Sequence, residues 1–173
     1  RLFGAQYLIL PDAMEPPEGL GYYKVEQAPG QALYFSPDMK YVREVGHIKV
    51  VGGLEAVLER LEDPTFNPYE STTVERDDAG GRFAGRQRRM PRMWLQSRVW
   101  PRGPGWMRMR LRSVNNGVVS LAEPYAPGWQ LILDGSSQPL NLTRVDGYFL
   151  AFFIPAGWHD VELRYDPASQ RLG

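Results

Sequence analysis

The chain has 173 residues, enough for one substantial core or two small ones, and folding at this size buries roughly 70% of the surface that the unfolded chain exposes. Its 20 basic side chains balance 20 acidic ones, which speaks against a dedicated nucleic-acid binder with a basic face across the whole domain. An apolar fraction of 43% excludes disorder, and the absence of cysteine removes disulfides, thiol catalysis and the usual structural zinc sites together.

Glycine and proline recur throughout, so the chain turns often and is expected to be mostly β. It opens Arg1-Leu2-Phe3 without an initiator methionine, and no run of about 18 apolar residues occurs in it. It therefore reads as a piece cut from a longer protein, whose membrane-spanning segments would lie outside it.

In chain order, AQYLILP, GYYKVEQ and QALYFSP are short, aromatic and bounded by Gly or Pro, as strands are. YVREVGHIKVV has strand alternation broken at Gly46. In GGLEAVLERLEDP, Leu54, Val57, Leu58 and Leu61 fall at helical spacing, which predicts a short helix over about 53–62 ended by Pro64 and packed on a sheet. STTVERD reads as a strand. The Arg- and Gly-rich segment 76–93 reads as a mobile loop or an edge hairpin. From Trp94 onward seven β-type segments follow one another, MWLQSRVW, GWMRMRLRSV, GVVSLAEP, GWQLILDG, QPLNLTRV, YFLAFFIP and WHDVELRY, with turn signals at the spacing of a sandwich. Asn115-Asn116-Gly117 and Asp134-Gly135 are hairpin-type turn sequences. The expected fold is an antiparallel β-sandwich or jelly roll over 94–173, with a small α+β portion over 1–75 that is either a separate lobe or part of one domain with it.

Trp129 alternates with Leu131 and Leu133, so its indole is expected on the core face. Truncating a buried tryptophan costs roughly 3 to 5 kcal/mol, so the fold accounts for it without a ligand. Trp94, Trp100, Trp106, Tyr125 and Trp158 admit a second reading, an exposed aromatic platform that stacks on sugar rings while neighbouring Asp, Asn or Arg take the hydroxyls. Arg86, Arg88, Arg89 and Arg92, with Arg108, Arg110 and Arg112 alternating later, are either solvated faces or groups attracted to an anionic bilayer or lipid carrier. His47 and His159 stand far apart without a carboxylate at ligand spacing, and no acid/base pair or G-x-S-x-G stretch is present. No catalytic residue, metal or cofactor is assigned.

The stretch from Asn116 to Pro167 resembles the terminal extracytoplasmic domain of the YfhO family of bacterial multi-spanning membrane proteins. The resemblance rests on Tyr125, Pro127, Gly128, Trp129, Asp134, Gly135, Pro155, Ala156, Gly157, His159, Tyr165 and Pro167. Ala126 replaces a frequent second tyrosine, and Trp158 a common charged residue. LFGAQYLI and ALYFSP fit the family's amino-terminal part more loosely. The family is similar to C-type glycosyltransferases, which move a sugar from a polyprenyl-phosphate carrier onto an envelope polymer outside the cytoplasmic membrane. The resemblance implies an accessory domain beside a membrane-embedded remainder, with the catalytic carboxylates elsewhere and Gly128, Trp129, Asp134, Gly135, Pro155, Gly157 and Tyr165 setting turns and core. Trp94, Trp100, Trp106 and Tyr125 are the candidates for contact with an envelope glycan or a polyprenyl-linked sugar. A docking module for envelope proteins is the alternative, and a free-standing sandwich hydrolase would need two carboxylates facing each other across a cleft.

Overall fold

A computed structural model describes residues 7–16, 21–36, 40–63, 65–67, 70–76, 88–89, 91–103, 105–137 and 142–166. Pro64, Arg86, Pro167 and most of the 76–93 segment lie outside them. The fold is mostly β with one short helix, and it is β-sandwich-like. The chain divides into two compact units, Arg1–Val42 and Arg43–Gly173.

The first unit holds an antiparallel sheet of three strands, β1 (Tyr7–Pro11), β2 (Tyr23–Ala28) and β3 (Gln31–Phe35), in the order β1-β3-β2. The register sets Tyr7 and Tyr23 on either side of Phe35, with ring centroids at 4.8 and 5.6 Å. Asp12 ties the β2–β3 turn to β1, because its carboxylate accepts the Gly30 amide at 3.1 Å.

At the start of the second unit β4 (Val42–Val45) and β5 (His47–Val51) are separate strands, broken at Gly46. A β-carbon at Gly46 would stand 2.9 Å from the Glu70 carbonyl, so the chain can turn there only without a side chain. The helix α1 (Leu54–Glu62) follows, and β6 (Ser71–Glu75) then lies parallel to β5. Among the described strand pairs whose register is fixed, this β5–α1–β6 crossover supplies the parallel one. Local pattern carries no sign of it, since parallel and antiparallel strands share the same side-chain alternation. Of the expected helical stripe only Val57 is buried, while Leu54 and Leu58 stay half exposed. Within the 76–93 segment, β7 (Arg88–Arg89) pairs antiparallel with β5.

The remaining strands are β8 (Gln96–Gly103), β9 (Trp106–Ser113), β10 (Gly117–Pro124), β11 (Trp129–Leu133), β12 (Ser136–Ser137), β13 (Leu142–Val145), β14 (Phe149–Ile154) and β15 (Gly157–Tyr165). They form a sheet of order β12-β11-β15-β9-β8 and another of order β13-β14-β10-β4. Strand β4, from the amino-terminal portion, thus completes a sandwich sheet. The fully buried side chains come from both sheets: Met109, Leu111, Leu131, Val161 and Leu163 from the five-stranded one, Leu121, Leu150, Phe152 and Ile154 from the four-stranded one. Strands β9, β11 and β15 alternate buried with accessible residues, so one face of the five-stranded sheet is core and the other is open.

Central strands β10 and β14 are buried on both faces, which explains their nearly unbroken apolar runs. Polar chemistry gathers on the side that carries Ser120. The buried Arg43 guanidinium donates to the Ser120 hydroxyl at 3.1 Å and stands 3.6 Å from Asp146. Asp146 accepts from the Thr73 amide at 2.7 Å and from the Thr72 and Thr73 hydroxyls at 2.8 and 3.0 Å. One carboxylate thereby joins β4, β6 and the β13–β14 turn.

Candidate functional site

The open face of the five-stranded sheet is built by the sequence WMRMRLRS. Its alternation turns Met109, Leu111 and Ser113 inward and leaves Trp106, Arg108, Arg110 and Arg112 outside. Pairing then fixes the neighbours. Gln96, Arg98 and Trp100 of β8 lie opposite Arg112, Arg110 and Arg108, and Trp158, Asp160 and Glu162 of β15 lie opposite the same three arginines on the other side. Paired residues of antiparallel strands share a face, so five guanidiniums, two carboxylates and three indoles, with Arg164 and Trp106 at the far end, meet on one surface.

Three guanidiniums lie within cation–π range of the rings. Arg98 lies 5.0 Å from the Trp100 centroid, and Arg110 and Arg112 lie 5.3 and 5.6 Å from that of Trp158. Between these groups is an open cleft of about 480 Å³ lined by Gln96, Ser97, Arg98, Trp100, Arg110 and Trp158. Trp158 is 57% exposed although it sits in mid-sheet, so its ring faces outward and not into the core.

The two carboxylates of this face are already engaged. Arg108 reaches Asp160 at 3.9 Å, and Arg164 Nε donates to Glu162 Oε1 at 2.7 Å. The Arg164 bond holds the Glu162 carboxyl below its usual 4.5; partial desolvation opposes this, and the Trp106 indole N–H, which donates to the same oxygen, reinforces it. Glu162 is therefore kept ionised, a poor proton donor. Neither carboxylate is among the described residues that line the cleft, and among those residues no two carboxylates face each other across it.

Of the expected glycan contacts, Trp100 and Trp106 lie on this face, and Trp158 joins Trp100 at the cleft. Trp94 is 61% exposed and precedes β8 with a positive φ of 51°, its ring 4.2 Å from the Arg92 guanidinium. Tyr125 is half-buried in the β10–β11 connection, where its amide donates to the Tyr148 carbonyl at 2.7 Å. The structure thus does not bring Trp94 or Tyr125 into the cleft. The strand register supplies what sequence reasoning left open, namely which of the aromatic residues are neighbours.

The Gly-Trp motif lies at the end of the core. Trp129 does share the face of Leu131 and Leu133, but it is half-buried and closes the border of the core instead of filling its middle. Its Nε1 donates to the Pro124 carbonyl at 3.1 Å, and its ring meets Tyr165 at 5.2 Å. Asp166 donates its amide to the Gly128 carbonyl at 2.9 Å, so this turn is clamped to the end of β15. Pro155 follows β14, and the adjacent Ala156 amide donates to the Asn116 side chain at 2.7 Å.

Asp134 and Gly135 both have positive φ, 50° and 79°, as a two-residue hairpin between β11 and β12 requires. The Asp134 carboxylate accepts the Asp160 amide at 2.8 Å and lies 2.6 Å from His159 Nδ1. In the sequence His159 has no carboxylate at ligand spacing. The structure seats it against Asp134, 25 positions away.

A second hollow, of about 260 Å³, lies on the β5–β6 pair and is lined by His47, Lys49, Arg60, Phe66, Ser71, Thr72 and Thr73. Its two threonine hydroxyls are committed to Asp146, and Arg60 is paired with Asp63.

Among the described residues, no helix is long and apolar enough to cross a membrane. No family model, curated protein or solved structure matches the chain. Fold and surface together define a β-sandwich-like domain that displays an arginine- and tryptophan-bearing sheet face.

Proposed function

We propose that the chain is a non-catalytic carbohydrate-binding domain, the extracytoplasmic accessory part of a bacterial multi-spanning membrane protein of glycosyltransferase type, which holds or orients a glycan acceptor of the cell envelope. The membrane-embedded remainder of that protein would be its partner, and the resemblance of residues 116–167 to the YfhO family is what supports this placement. The binding role is carried by one observation: two outward-facing indoles, Trp100 and Trp158, border an open cleft of about 480 Å³ whose other lining groups are hydrogen-bond donors or amides. Indole faces remove the apolar CH faces of a sugar from water, and polar neighbours take its hydroxyls.

The test is titration calorimetry of the chain against envelope saccharides, with Trp100→Ala and Trp158→Ala as variants. Trp158 is exposed and Trp100 half-buried, and neither belongs to the core, so circular dichroism should be unchanged while affinity falls by about tenfold or more, the range of a lost aromatic anchor. Absence of binding to every saccharide tried would defeat this reading and favour a module that docks to envelope proteins.

A further inference from the structure

We propose that the glycan held on this face is polyanionic, and that its carboxylate or phosphate groups are taken by Arg98, Arg110 and Arg112. The inference rests on the carbohydrate-binding reading and names the substrate class for the same cleft.

The charges on the face do not balance. Among the described side chains of β8, β9 and β15 on this face, five guanidiniums (Arg98, Arg108, Arg110, Arg112, Arg164) stand against two carboxylates (Asp160, Glu162), an excess of three positive charges. Glu162 is bound by Arg164, and Asp160, although the register sets it opposite Arg110, reaches Arg108; among the described residues Arg98, Arg110 and Arg112 make no salt bridge within 4 Å. Moreover, Arg98 lies directly opposite Arg110 in the β8–β9 register. Like charges in that position repel, and a bound oxyanion between them turns the repulsion into attraction.

The arginines are also prearranged. Each holds its guanidinium carbon 5.0, 5.3 or 5.6 Å from an indole centroid, within cation–π range, and a guanidinium offers its hydrogen bonds along its N–H edge. That edge matches a carboxylate or phosphate in bidentate fashion. Successive outward positions along β9 are about 6.8 Å apart, two residues at the usual strand rise, so Arg110 and Arg112 form a short row of charge beside the rings. A neutral sugar would instead call for acceptors as well as donors around the indoles. Among the described lining residues the cleft supplies the amide of Gln96 and the hydroxyl of Ser97 for that purpose.

The experiment titrates the chain with polygalacturonate, with a phosphomannan and with a neutral dextran, each at about 50 and about 200 mM salt, where screening lengths differ about twofold. Binding of either acidic polymer, weaker at the higher salt, with dextran at least tenfold weaker, is the expected result; which polymer binds distinguishes carboxylate from phosphate. The variants Arg98→Gln, Arg110→Gln and Arg112→Gln should each lower affinity for the acidic polymer by about tenfold or more with the fold intact, the scale of a charged hydrogen bond. Dextran binding as tight as the acidic polymers, or arginine variants that bind unchanged, would overturn the anionic inference and leave carbohydrate binding standing. An equally tight single-stranded oligonucleotide would overturn it as well, by showing indiscriminate capture of polyanions. Failure of all three polymers would remove the carbohydrate reading itself.

Discussion

Asp134 is where a turn and a distant strand are fastened to each other. Desolvation works to raise its carboxyl, but the bonds from His159 and the Asp160 amide outweigh it, and the group sits below the usual 3.8. A folded-state value below the unfolded one means that the contribution to stability is present above about pH 4 and is lost as the pH falls through the folded value. Urea unfolding across a pH series should therefore show the native chain losing stability on acidification more steeply than Asp134→Asn. Asparagine tolerates the positive φ, so the turn itself survives the substitution. Parallel profiles for the two proteins would show that the charge at 134 has no such role. The Asp-Gly turn was readable in the sequence because both residues tolerate positive φ. The partnership with His159 was not, because it depends on β11 and β15 being neighbours, and that is set by pairing across 25 residues.

At the scale of elements, β9 was the most legible: four outward positions alternate with inward Met109 and Leu111, and period two leaves no other face for them. The start of β10 was less so. Asn116-Gly117 reads as a turn signal, but Gly117 is already in the strand, and the need there is for space, since a β-carbon would stand 2.1 Å from Met93 Sδ. Met93 is buried and has little room to move. Gly117→Ala should consequently cost about 1–3 kcal/mol in denaturant unfolding, the usual penalty for overpacking. Combined with Met93→Ala, it should cost less than the two separate losses added together, because the clash is gone. Strict additivity would show that the methionine is not what the alanine meets. For α1 the periodicity located the helix, but it could not foretell that Leu54 and Leu58 would remain half exposed; that depends on what covers the helix, a tertiary fact.

For the molecule as a whole, the sandwich followed from seven closely spaced strand segments, whereas the parallel crossover and the polar node beneath β10 did not. Arg43 stood in an ordinary strand pattern, with nothing local to mark it as buried. Because Arg43 and Asp146 are paired out of water, removal of one charge strands the other: Arg43→Met should lower stability by about 3–5 kcal/mol. Chemical denaturation measures this directly, and a loss under about 1 kcal/mol, typical of an exposed ion pair, would show that the node is solvated. The border of the five-stranded sheet has a different consequence. It ends on one side in β8, where Arg98, a proline without an amide hydrogen at 101 and a register shift before Gly103 interrupt the hydrogen-bonding rim, and on the other in β12, only two residues long. Neither rim offers a straight ladder for another copy to zip onto, so crowded copies are guarded against fibril growth from this sheet.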